Sequence, residues 1–290
     1  MKPPRFRNFA AIDWSGAAGE RQRGIAVALW QEGAERPETV RPGHRWSRRE
    51  VLDWLVNDMP GETLAGFDLG ISLAFADRQA FFPGWTESPP DARALWAMVE
   101  QLACQDEHLA VTSFVDHPEV SRHFRRHGAR EGDLFGGGRG RLRVTEEEQQ
   151  KQGCQPCSNF NLVGAAQVGK SSLSGMRLLH RLPARLPVWP VDPLPGHGSV
   201  VVEIYTTLAA MAGRRSAGRS KMRTYADLNH ALHHLGSVPM PGSGPIDDHN
   251  SDALATAAWL RQAAFRPELW SPARLTEEIA RTEGWTFGVP

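Results

Sequence analysis

Two apolar runs, each closed by a carboxylate and a glycine turn, constrain this chain more than any other feature. The first is FAAIDWSG (Phe9–Gly16) and the second is TLAGFDLGIS (Thr63–Ser72). A short apolar run bounded by turn residues reads as a buried strand. Each run places an Asp, Asp13 or Asp68, where the chain leaves the sheet. In open α/β sheets the carboxyl ends of the strands are where sites form.

The segments between and after these runs complete an α/β pattern. GIAVALW (Gly24–Trp30) follows a charged turn as a hairpin partner would, and a third short strand is expected near His44–Trp46. Ser47–Asp58 reads as a helix: Ser47 is an N-cap, Glu50 holds the capping-box position, and Val51, Leu52, Leu55 and Val56 recur at helical spacing. Residues 91–127 read as mostly helical, and Ser172–Leu182 as a helix. SVVVEIYTT (Ser199–Thr207) reads as a buried strand, and Thr224–Leu235 as a helix. Asp247–Phe265 is the clearest helix, with acidic residues in its first turn, where they favour the helix dipole. Residues 128–161, rich in Gly, Arg, Glu and Gln, read as a long, partly flexible insertion rather than a domain boundary. The expected architecture is one α/β domain over residues 1–290 with a mixed sheet flanked by helices.

Bulk properties narrow the function classes. The 33 basic and 33 acidic residues balance, which argues against a protein that wraps nucleic acid through a general basic excess. No apolar run is long enough for a signal peptide or a membrane span, so a cytoplasmic protein without a membrane partner is expected. Cys104, Cys154 and Cys157 are too few for a disulfide scaffold, and Cys154-Gln-Pro-Cys157 has no second pair to complete a structural zinc site.

The chemistry of the chain concentrates in its carboxylates. Asp13 and Asp68 end strands, Glu203 lies inside an apolar strand, and Asp248 and Asp252 open the late helix one turn apart on a shared face, bordered by His249. Like charges so placed repel unless a cation lies between them. Mg²⁺ takes oxygen ligands of this kind, and two such ions can clamp an in-line phosphoryl displacement. Each residue also fits a plainer role. Asp13 and Asp68 suit turns, and Asp247 and Asp248 suit helix capping. Glu203 is the hardest to place that way, because a buried carboxylate needs a partner.

The elements AAIDWSG, AGFDLGIS, VVVEIYTT and DDHNSDALATAAWLR, in order from about residue 8 to 265, resemble the predicted ribonuclease H-like nucleases grouped as domain of unknown function 429. The resemblance implies a ribonuclease H-type core: three antiparallel strands, a helix, then parallel strands flanked by helices. It implies a Mg²⁺ or Mn²⁺ site with Asp13, Asp68 and Asp252 as central ligands and Asp248 and Glu203 in support. The implied activity is phosphodiester hydrolysis by a metal-activated water, on DNA or RNA. The chain departs from the family's last motif, D-D-H-D-x-D-A-L, by carrying Asn250 in the fourth place.

Three other readings compete. GAAQVGKSS (Gly164–Ser172) matches G-x-x-x-x-G-K-[ST], the loop that cradles nucleotide phosphates. Its preceding segment, CQPCSNFNLV, lacks the apolar strand such a loop requires, and a helix start with Lys170 near its positive end is the simpler account. DWSG and DLGIS also imitate the phosphate loops of actin-like ATPases and sugar kinases, though no second core or adenosine loop is present. A non-catalytic binding protein on a nuclease fold is the remaining alternative. Basic segments at Arg122–Arg130, Arg139–Arg143 and Gly213–Arg223 suit either a phosphate-bearing partner or a solvated surface. Lys170 and Lys221 are the candidates to steady a substrate phosphate.

Overall fold

The computed structural model describes residues 6–128, 130–163 and 168–290. The amino-terminal half contributes β1 (Asn8–Asp13), β2 (Ala26–Trp30), β3 (Glu38–Thr39), α1 (Arg48–Asp53) and β4 (Thr63–Asp68). There follow α2 (Ala92–Leu102), α3 (Thr112–Val115), α4 (Pro118–Ser121), the short hairpin β5 (Arg125–Arg126) and β6 (Arg130–Glu131), and α5 (Val144–Lys151). The remainder is α6 (Val168–His180), β7 (Val188–Trp189), β8 (Val200–Glu203), α7 (Thr206–Ala212), α8 (Tyr225–His234), α9 (Asp248–Ala263) and α10 (Glu277–Thr282).

One six-stranded mixed sheet, in the order β3-β2-β1-β4-β8-β7, organises the molecule. The β1–β2 and β2–β3 pairs are antiparallel, while β1–β4, β4–β8 and β7–β8 are parallel. The third strand lies at Glu38–Thr39 rather than near His44–Trp46. Those later residues instead lead to an isolated bridge between Arg21 and Ser47, where the helix cap begins. That cap is the expected box: Ser47 Oγ accepts from Glu50 N, and Glu50 accepts from Ser47 N.

Strand alternation gives the sheet two buried faces. Ala10, Ile12, Ala65, Phe67 and Val201 face α1, α2 and α6, where Val51, Trp96, Leu173 and Met176 complete one core. Phe9, Ala11, Leu64, Val200 and Val202 face the other core, built with Leu208, Leu228, Leu254 and Leu260 of α7, α8 and α9. α9 is buried from Ser251 to Leu260, which explains its Ala-rich middle: small side chains let it lie close to β1 and β2. Among the described residues no helix is long and apolar enough to cross a membrane.

The 128–161 segment is more firmly built than its composition suggests. At the start of α5 the Glu146 carboxylate accepts from the Arg143 backbone N at 2.8 Å, and both of these side chains are buried beneath the end of the sheet.

Candidate functional site

Two apolar residues ahead of each Asp fix where the carboxylates go. Asp13 alternates with Ala11 and Phe9, and Asp68 with Leu64 across Gly66, so both share the sheet face that packs on α9. They are also register partners on adjacent parallel strands. From the opposite side α9 presents Asp252, 3% exposed, one turn beyond Asp248. Asp13, Asp68, Asp248 and Asp252 thus form one electrostatic cluster at the carboxyl ends of β1 and β4.

The cluster is short of positive charge. Burial, then Asp13 and Asp252, push the Asp68 carboxyl up to about 8. Burial also raises Asp252, to about 6, against the pull of Lys221 and with the push of Asp13 and Asp248. Asp13 is raised as well, by burial, with His249 opposing. Two cations answer these charges. Lys221 Nζ pairs with Asp252 Oδ2, and His249 Nδ1 lies 3.0 Å from Asp13 Oδ2. Burial opposes the charge on Lys221, but Asp252, Asp13 and Asp68 together hold its pKa above the usual lysine range. The Asp13 hydrogen bond lifts His249 to about 9, so the imidazole keeps its proton at neutral pH. Asp68 receives only weak help, from Thr206 N at 3.4 Å and Thr206 Oγ1 at 3.2 Å.

Glu203 does not join this cluster. Its register partner is Phe67, so its side chain leaves the opposite face of the sheet from Asp68. There Arg143 Nη1 and Nη2 donate to its two oxygens at 2.8 and 2.6 Å, Ile71 N donates at 2.8 Å, and Thr286 Oγ1 at 2.5 Å. Arg143 also pairs with Glu146, whose carboxyl is pushed up to about 7 by burial. This answers the buried-carboxylate question raised by VVVEIY: the partner is Arg143, and the role is architectural.

The GKSS stretch also has a structural role. Ser171 Oγ accepts from Gly16 N at 3.1 Å, and Ser172 Oγ accepts from Gly70 N at 3.0 Å. The first turn of α6 therefore ties together the two turns that follow Asp13 and Asp68. A Cβ on Gly16 would overlap the Ser171 backbone, and one on Gly70 would overlap the Asn159 side chain. Trp14 Nε1 adds a bond to Ser174 Oγ at 3.1 Å. Gly169 packs against Asn159 and Leu162, and Lys170 backs onto Gly16. Lys170 forms no ion pair with the carboxylates among the described residues. Gly164–Gln167, the first part of the nucleotide-loop match, lie outside the described residues.

Asn250, the departure from the family motif, donates through Nδ2 to Asp247 at the helix cap and does not meet the cluster. The structure gives two cations named in the sequence their partners: His249, bordering the α9 face, pairs with Asp13, and Lys221, expected to steady a substrate phosphate, pairs with Asp252. The adjacency of His249 to Asp248 in the sequence hinted at the first. The second lies in a basic run with no sequence signal for Asp252. Cys154 and Cys157 are free thiols, the first buried and the second half-buried.

Hard carboxylate oxygens suit Mg²⁺ or Mn²⁺ in kind, and burial, then Asp13 and Asp252, keep Asp68 raised despite the opposing charge of Lys221. As arranged, with Asp252 on Lys221 and Asp13 on His249, no group of three or more His, Cys, Asp or Glu among the described residues is gathered to hold a metal ion. Beside the cluster, Asp68 and Lys221 border a cavity of about 440 Å³. A larger cavity, about 690 Å³, opens at the other end of the sheet near Gly61 and Ser199, away from the carboxylates. Comparison with family models, with curated proteins and with solved structures finds no match to this chain.

Proposed function

We propose that this protein is a divalent-metal-dependent phosphodiester hydrolase, a nuclease with a ribonuclease H-like core. The observation that carries the reading is the meeting of Asp13, Asp68 and Asp252 at one end of the sheet, with their charge only partly answered. Support comes from the strand order, in which three antiparallel strands are continued by parallel ones beyond β1, as the sequence resemblance implies. Asp13, Asp68 and Asp252 would hold Mg²⁺ or Mn²⁺, with Asp248 beside them. Bound there, the ion would supply charge to activate water and to stabilise the developing negative charge on phosphate.

This chain's own residues have definable roles around that chemistry. His249 orients the Asp13 carboxylate from α9 and opposes the rise that burial imposes on it. Lys221, half-exposed, can leave Asp252 and meet an incoming phosphate oxygen, so a single cation serves the resting site and the substrate in turn. Thr206 orients Asp68 through two bonds from the start of α7. Ser171 and Ser172 fix the backbone behind both strand-end carboxylates.

A second reading, a nucleic-acid-binding protein without hydrolysis, is favoured by the pairing of Asp252 and Asp13 with protein cations. One experiment separates the two. Mn²⁺ is titrated calorimetrically into the wild-type protein and into Asp13→Asn/Asp252→Asn. Cleavage of labelled DNA and RNA is assayed alongside. Mn²⁺ binding and cleavage that both vanish in the double variant are expected. Nucleic-acid binding without Mn²⁺ binding or cleavage would move the non-catalytic reading to first place.

A further inference from the structure

We propose that the cavity beside the carboxylates receives one unstacked base of a single-stranded nucleic acid, with the neighbouring phosphate held by Arg139. This rests on the nuclease reading above and names the form of its substrate.

The placement of the walls carries the inference. The cavity starts at Asp68 and Lys221, where a scissile phosphate would lie, and runs to Gln155 and Cys157. Those last two residues also border a second cavity, about 250 Å³, whose other walls include Arg125 and Arg139. The two spaces are therefore neighbours: carboxylates at one end, arginines at the other, and a pocket between them. One nucleotide unit can match this arrangement: its two flanking phosphates are joined through a sugar, and the base branches from that sugar into the pocket between.

The lining suits a base. At about 440 Å³ the cavity falls in the range that holds a small organic ligand. Tyr205, half-buried in the wall, supplies aromatic surface, and aromatic side chains are what unstacked bases pack on. Gln155 makes no side-chain hydrogen bond among the described residues, so its amide is available to a base edge. Of the two arginines, Arg125 is engaged by Glu131 and lies over the Phe135 ring. Arg139 is exposed, and no carboxylate among the described residues pairs with it. A base held in a duplex cannot enter such a pocket without being unpaired and rotated out of the stack. A single strand meets no such penalty.

The test is fluorescence anisotropy with one labelled oligonucleotide in three forms: single-stranded, annealed to its complement, and single-stranded with abasic sites. Measurements are made at matched ionic strength in Ca²⁺, with the wild-type protein and with Ser220→Trp, Gln155→Ala and Arg139→Ala. Ser220 lies in the cavity wall on an exposed turn, so a tryptophan there fills the space with little effect on the core. The single strand is expected to bind roughly tenfold more tightly than the duplex and the abasic strand. Ser220→Trp should abolish that preference while leaving the melting temperature unchanged. Arg139→Ala should weaken all three forms. Equal binding of normal and abasic strands, or a preference for duplex, overturns the base pocket. If Mn²⁺-dependent cleavage persists in that case, the nuclease reading stands alone. Failure to bind any of the three forms overturns both.

Discussion

Asp13 and Asp68 stand side by side as register partners at the ends of two parallel strands, on the face that packs against α9. Parallel neighbours are about 4.8 Å apart, and burial removes the water that would screen them. The fold therefore carries a local instability at the place where its chemistry would occur. Stability given up at a site in return for function is a common pattern.

Replacing Asp68 by Asn should consequently stabilise the protein, by about 1–2 kcal/mol at neutral pH. The sign follows from the carboxyl being pushed up to about 8 in the folded protein, from an ordinary value of 3.8. Below both values the folded and unfolded chains are equally protonated and the substitution is neutral. The gain appears as pH rises between them. Urea melts at pH 4 and pH 8 check this, and equal gains at both would contradict it.

The Asp13–His249 pair also makes stability fall with rising pH, in a higher window than Asp68. Its histidine is lifted from 6.5 to about 9, so its contribution to stability is full below pH 6.5 and is lost as pH rises through 9. NMR titration of the His249 ring should place its midpoint near the higher value. In Asp13→Asn the midpoint should fall back toward 6.5.

Metal binding should release protons. Asp68 is largely protonated below about 8 and Asp252 below about 6, and a carboxylate must ionise to ligate. Mn²⁺ affinity should therefore increase as pH rises from 6 to 8. Calorimetry in buffers of different ionisation enthalpy should report release of about one proton per ion in this window. Affinity independent of pH would remove Asp68 from the ligand set.

Glu203→Ala should damage folding rather than chemistry. It leaves the buried Arg143 guanidinium without its principal partner, and breaking a buried pair from one side costs about 3–5 kcal/mol. Denaturant melts should show this loss. Asp248→Asn, half-exposed at the mouth of the cluster, should leave stability nearly unchanged.

The close approach of α6 to the two Asp turns gives a further expectation. Gly16→Ala should lower stability by about 1–3 kcal/mol, because its methyl group would meet the Ser171 backbone, which cannot move aside as a flexible side chain can. Gly19→Ala, three residues on, meets no neighbouring atom but requires a positive φ, so its smaller loss separates strain from overlap.

The sequence by itself determined the local elements. Apolar runs set β1 and β4, Ser47 and Glu50 set the start of α1, and the capped, Ala-rich stretch after Asp247 set α9. It also showed that Asp13 and Asp68 end their strands, because a strand's end is written in its own turn residues. Tertiary structure alone decided which carboxylates meet. Glu203, inside its apolar run in the sequence, closes β8 in the fold as Asp68 closes β4, yet β8 is set against β4 in a register that turns it to the other face, and a one-residue difference in register exchanges faces. His249 reaches Asp13 from 236 residues away, and Ser171 and Ser172 bind turns that nothing in GKSS foretells. Periodicity and capping are interactions within a few residues, so they can be read along the chain. Register, ion pairing and the closure of a site join residues that only the packed fold makes neighbours.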